Sequence, residues 1–161
     1  MKEPKSNPAL TKAFFLLSKR SYSKEILREK LQEKKYSEED IDLALKKLSS
    51  IGFIDDKKFA ENLVREYSTF RRYGAYRIKL KLREKKIPEE IAKGALENLS
   101  ENNQADNLKE LVDKCLKKNI KLSREKQYAR ALAFLLRRGY PYDKSKKALQ
   151  EGLKISVVVI V

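Results

Sequence analysis

Apolar residues recur at spacings of three and four along the chain: Leu10, Ala13, Phe14 and Leu17, then Phe59, Leu63, Tyr67 and Phe70, then Leu108, Leu111, Val112, Cys115 and Leu116. Each set lines one face of a helix. Behind each stripe lies a longer segment, and the three segments align without gaps: ILREKLQEKKYSEEDIDLALKKL from Ile26, RIKLKLREKKIPEEIAKGALENL from Arg77 and RALAFLLRRGYPYDKSKKALQEG from Arg130. Leu31, Leu82 and Leu135 share a column, as do Tyr36, Ile87 and Tyr140, then Ala44, Ala95 and Ala148, then Leu45, Leu96 and Leu149. The offsets are 51 and 53 residues, and Ser37, Pro88 and Pro141 mark one helix start in all three. A fixed period of this kind is the mark of a repeat architecture.

The pattern therefore predicts an all-α chain of three tandem three-helix repeats at 9–51, 52–100 and 105–152. In the first repeat the helices fall at roughly 8–18, 23–34 and 37–50. Ser37 with Asp40 has capping-box spacing, Asp55 or Asp56 suits the cap of the next repeat's first helix, and Pro88 suits a first turn. Ile78, Leu80 and Leu82 alternate with Lys79 and Lys81 as a half-exposed strand would, but register with the other repeats makes this segment helical. Ser100–Gln104 is polar and without apolar anchors, which predicts a linker with a modest hinge. Residues 153–161 stand outside the repeat as an apolar tail; its ISVVVIV run reads either as a strand-like cover for an apolar face or as an artefact of the sequence.

Charge changes the picture. The chain of 161 residues carries 38 Lys and Arg against 23 Asp and Glu, a net charge of +15, and 38% charged residues suit thin, extended helical layers better than one globule. Arg71–Lys86 holds eight basic residues and one acidic, and Lys114–Gly139 nine and one, so these two windows account for the whole excess. Both centre on the second helix of a repeat or its approach. Lysines that serve solubility alone are the plain alternative, but equivalent helices presenting one basic stripe would attract a polyanion in a salt-dependent way. On a helical wheel Ile78 and Leu82 face inward, with Arg77 and Lys81 on one flank and Lys79, Arg83 and Lys86 on the other. Tyr73 and Tyr76 interleave with Arg71, Arg72 and Arg77 and suit stacking on unpaired bases or on a partner's side chains, and equally packing between repeats.

Little of the sequence supports catalysis. One cysteine and no histidine exclude an internal disulfide, a Cys/His zinc site and a histidine-based triad. Cys115 sits in an apolar stripe and reads as a small buried hydrophobe. The acidic pairs at Glu38, Asp55 and Glu89 lie at helix starts, where they complement the dipole. No phosphate-binding glycine loop is present, no cofactor or metal is expected, and the absence of a long apolar run or secretory pattern predicts a cytoplasmic protein with no membrane contact.

The segment GFIDDKKFAENLVREY from Gly52, followed by RRYGAYRIKLKLREKKI from Arg71, resembles the RecX family of regulators of the recombinase RecA, over roughly residues 9–149. The sequence departs from that family at Lys35 and Lys86, where glycine is common; only Gly139 keeps it. The resemblance implies an elongated, curved helical array that lies in the groove of the RecA filament on single-stranded DNA and limits filament growth, strand exchange and ATP hydrolysis. The basic windows make Arg71, Arg72, Arg77, Lys79, Lys81, Arg83, Lys86, Arg130, Arg137 and Arg138 the expected nucleic-acid or filament contacts, with Tyr73 and Tyr76 as candidate partner contacts. Asp55, Asp56 and Phe59 are expected to serve structure, and the protein to act as a monomer. The competing reading is an autonomous helical-repeat protein that binds single- or double-stranded nucleic acid without sequence preference.

Overall fold

The computed structural model describes residues 7–158, with side chains described for residues 7–154. Among the described residues there are nine helices and no strand: α1 (Pro8–Lys19), α2 (Lys24–Gln32), α3 (Glu38–Ser50), α4 (Asp56–Thr69), α5 (Ala75–Glu84), α6 (Glu89–Glu97), α7 (Glu101–Lys118), α8 (Arg124–Arg137) and α9 (Tyr142–Val158). They follow as three successive three-helix repeats. The alternating segment at Ile78–Leu82 is helical, with Ile78 and Leu82 fully buried.

The repeats share their punctuation in atomic detail. Lys35, Lys86 and Gly139 occupy one column, and all three have positive φ, at 60°, 53° and 86°. In each, the preceding helix closes with the same pair of backbone bonds: Tyr36, Ile87 and Tyr140 N–H groups donate to Leu31, Leu82 and Leu135, while Lys35, Lys86 and Gly139 donate to Gln32, Arg83 and Leu136. This is the left-handed helix stop that glycine favours. Lysine therefore keeps the geometry at two of the three stops. The third helices also start alike, with Ile41, Ala92 and Ser145 N–H groups donating to the carbonyls of Ser37, Pro88 and Pro141.

The caps expected from sequence are present, with divided roles. The Ser37 hydroxyl accepts from the Asp40 N–H at 3.2 Å and donates to the Asp40 carboxylate at 2.8 Å. Asp55 caps α4 by accepting from the Lys58 N–H at 2.9 Å, whereas Asp56 accepts from the Lys24 N–H at 2.9 Å and so serves the start of α2. Burial pushes the Asp56 carboxyl up from its ordinary value, against the lowering effect of that hydrogen bond. Phe59 is half-buried on α4.

Two expectations are corrected. Ser100–Gln104 is no linker: the Ser100 hydroxyl accepts from the Asn103 N–H at 3.3 Å and α7 begins at Glu101. Polar residues there form an exposed first turn, which needs no apolar anchor. The backbone of the apolar tail continues α9 to Val158 instead of forming a strand, while the side chains from Ile155 onward and all of residues 159–161 lie outside the described residues.

By packing, the chain divides into two compact units. The first comprises residues 7–62 with Leu82–Lys93, and the second Leu63–Lys81 with residues 94–158. The second repeat thus contributes residues to both. The first unit is cored by Ala9, Ala13, Leu27, Leu31, Ile41, Ala44, Leu45, Leu48 and Ile54. Asn7 caps α1 by accepting from Leu10 N–H at 3.0 Å and ties it to α3 by donating to the Asp40 carbonyl at 2.8 Å. The second unit is cored by Leu108, Leu111, Val112, Leu116, Ala131, Leu135, Tyr140 and Leu149.

Candidate nucleic-acid interface

In each unit the N-terminal approach of one second helix meets the C-terminal end of the next. Within the first unit the buried Ser23 hydroxyl, which caps α2, donates to the Lys85 carbonyl at 2.5 Å. Within the second, the Gly74 N–H donates to the Arg138 carbonyl at 2.9 Å. Ser23 and Gly74 share a column of the repeat, as do Lys85 and Arg138, so one joint is made twice with different chemistry.

The second version brings backbones into contact. A Cβ built on Gly74 would stand 2.3 Å from the Gly139 carbonyl oxygen, and one on Gly139 would stand 2.3 Å from the Arg77 nitrogen. Only hydrogen fits at either place. The Tyr140 hydroxyl reinforces the joint by donating to the Arg72 carbonyl at 3.1 Å. Its pKa is pushed up to about 12, chiefly by burial, so it remains a donor at neutral pH.

This close approach gathers cations from both helices around one ring. Arg77 of α5 and Arg138 at the end of α8 lie 5.9 and 5.4 Å from the Tyr73 centroid, and Arg138 also lies 5.0 Å from that of Phe134. Tyr73, Arg77, Phe134, Arg137 and Arg138 line a hollow of about 210 Å³ with no acidic residue among the described residues of its lining. Arg77 and Arg138 are half-buried beside the rings and Arg137 is exposed, so the cluster sets cationic groups and aromatic surface side by side, the two elements that contact phosphates and unpaired bases.

The other residues singled out from sequence have separate positions. Arg71 is exposed and its carbonyl accepts from the Arg138 guanidinium, while Arg72 is drawn to Glu110 at 2.9 Å. Arg130 is exposed on α8 and lines, with Arg137 and Arg138, a second hollow over α7. Tyr76 is exposed, whereas Tyr73 is half-buried. Lys79 and Lys81 lie further along α5 and have interactions of their own. In the first unit Arg83 is exposed and Lys86 pairs with Glu29. Cys115 is half-buried rather than fully so, and burial pushes its thiol up against the lowering influence of Arg138, Lys118 and Lys114.

One group escaped sequence reasoning. In the first unit Arg20 and Lys30 lie 4.8 and 5.5 Å from the Tyr22 centroid. Tyr22 stands 51 residues before Tyr73, in the same column, so the repeat alignment extended a few positions upstream would have found it.

Three family models match in succession: the first three-helix domain of RecX at residues 9–48, the second at 55–96 and the third at 102–149. The regulatory protein RecX of Vibrio parahaemolyticus is 31% identical over 137 residues, 85% of this chain and 86% of the relative. The chain belongs to the RecX family. Another RecX, from Prosthecochloris aestuarii, is 28% identical over 155 residues, covering 95% of this chain and 99% of its own length. The crystal structure of RecX from Lactobacillus salivarius superposes with a TM-score of 0.81 at 26% identity, covering 89% of this chain and 94% of that one. These relatives give the chain a regulatory role of the RecX kind, in a family of regulators and not of enzymes. Among the described residues no cluster of metal-ligating side chains occurs, and no helix is long and apolar enough to cross a membrane.

Proposed function

We propose that this protein restrains the recombinase RecA by lying in the groove of its filament on single-stranded DNA, limiting filament extension, strand exchange and ATP hydrolysis. The observation that carries the reading is the convergence of Arg77, Arg137 and Arg138, from two second helices, on one hollow beside Tyr73 whose described lining holds no acidic residue. Contacts to phosphate position a protein without specifying sequence, as a regulator that follows a filament over any sequence requires. Contacts too weak to hold singly sum by avidity when several repeats engage together. No catalytic residue takes part.

The test separates partner from polyanion. Arg77→Glu with Arg137→Glu leaves untouched the Arg138 and Arg72 groups that tie the joint together. Wild type is expected to slow RecA ATP hydrolysis at substoichiometric amounts, and the double variant to lose that effect. Three phosphate contacts give a slope of about −2 in log affinity against log salt for single strands, which the variant should flatten. Absence of any effect of wild type on RecA, together with tight salt-sensitive DNA binding, would instead favour an autonomous nucleic-acid binder.

A further inference from the structure

The second hollow differs from the first in size and chemistry. It encloses about 540 Å³ between α7 and α8, within the range of sites that hold small organic groups. Five cations line it, Lys114, Lys118, Arg130, Arg137 and Arg138, with no carboxylate among the described lining residues. Between them lie the apolar surfaces of Leu111, Cys115, Ala133 and Phe134. The Asn119 side chain, also in the lining, is already committed to the Cys115 carbonyl at 2.8 Å. A purely electrostatic surface needs no apolar recess, and an apolar recess for a neutral ligand needs no ring of five cations. A ligand with a flat uncharged part joined to an anionic part satisfies both.

We infer that this α7–α8 hollow receives an unpaired nucleobase of a single strand, with the adjoining phosphates held by Arg130, Arg137 and Lys118. Phe134, Arg137 and Arg138 also line the smaller hollow at Tyr73, so the two recesses share a wall. The strand crosses that wall beneath Arg137, and the next nucleotide meets Tyr73. An unpaired strand is required because a base inside a duplex is stacked on both faces and held by its pair, so it cannot enter a recess. The inference rests on the nucleic-acid contact proposed above and deepens it from phosphate neutralisation to insertion of a base. An acidic protein segment fits less well, since it would leave the apolar surface uncovered.

Cys115 makes this measurable, being the chain's one cysteine and part of the lining. Its reaction rate with a maleimide is followed in the wild-type protein alone, with a thymidine oligonucleotide, and with an abasic oligonucleotide of equal length at equal occupancy. The expected result is several-fold protection by the thymidine strand and little by the abasic one. Ala133→Trp, which fills the recess without altering charge, should lower affinity for the thymidine strand about tenfold and leave abasic binding unchanged. Binding of the thymidine strand with Cys115 still reactive would overturn the inference and leave the proposed RecA regulation standing. Equal protection by the abasic strand would overturn base insertion, equal protection by free thymidine triphosphate at the same nucleotide concentration would overturn the assignment to a strand, and protection by RecA without DNA would give the hollow to a protein partner. Restraint of RecA without any binding of the oligonucleotide would sink the inference alone, whereas loss of both would sink it together with the proposed function.

Discussion

Replacing Gly139 by alanine tests the joint that assembles the cationic cluster. The residue has φ 86°, where a Cβ is disfavoured, and the added methyl would lie 2.3 Å from the Arg77 nitrogen and 2.5 Å from its Cβ. Left-handed backbone costs a residue other than glycine roughly 1–2 kcal/mol, partly offset by the lower entropy of the unfolded alanine chain. Relieving the overlap requires about 1 Å of separation, enough to forfeit a quarter to half of the dispersion attraction across the gap. The same movement strains the bond from Gly74 N–H to the Arg138 carbonyl, which contributes roughly 0.5–1.5 kcal/mol. Together these give a loss of about 3 kcal/mol, a large part of the 5–15 kcal/mol typical of a whole domain. The chain has no tryptophan, so unfolding in urea is followed by far-ultraviolet circular dichroism, where the midpoint should fall by roughly 1–3 M. Gly52→Ala is the control: its φ is 74° but a Cβ there meets nothing within 4 Å, so it should cost no more than about 1 kcal/mol. If the two variants lose equal stability, the reasoning from close approach is refuted.

Three further outcomes follow from single residues. Ser145 is fully buried and its hydroxyl has no hydrogen-bond partner among the described residues, in a column occupied by Ile41 and Ala92 in the other repeats; Ser145→Ala should leave the urea midpoint unchanged or raise stability by up to about 1 kcal/mol, and a clear loss would reveal a hidden partner. Lys35 holds φ 60° without glycine's freedom, so Lys35→Gly should stabilise by roughly 0.5 kcal/mol in the same assay, and destabilisation would show that its side chain matters more than its backbone. Because burial raises the Asp56 carboxyl, the folded state binds its proton more tightly than the unfolded state, and this group's contribution falls as pH rises from the unfolded value of about 3.9 through the raised folded one. Asp56→Asn keeps an acceptor for the Lys24 N–H without that penalty, so its stability relative to wild type should improve between pH 3 and 7; a constant difference in urea midpoints across that range would refute the assignment.

The helices, the repeat and the inward faces were legible in the chain because each depends on residues close in sequence: the three-and-four spacing at Ile78 and Leu82, the shared start at Ser37, Pro88 and Pro141, the caps at Asp55 and Ser37. The left-handed stops at Lys35 and Lys86 were legible only through their column-mate Gly139, since lysine itself does not signal that backbone. The false linker at Ser100–Gln104 arose because a polar, exposed first turn looks like a loop until the Ser100 cap and the following apolar stripe are taken together.

What the sequence by itself determined was the number of repeats, their helical class, and the concentration of charge in two windows, since periodicity and composition are local properties. Which cations meet was decided by tertiary structure alone. Arg77 and Arg138 are 61 residues apart and come to one ring because Gly74 and Gly139 let two backbones approach where any side chain would hold them apart. Arg72 and Lys86, in equally basic stretches, are instead drawn to Glu110 and Glu29. Charge pairs across space, and no spacing along the chain records which carboxylate will stand beside which cation.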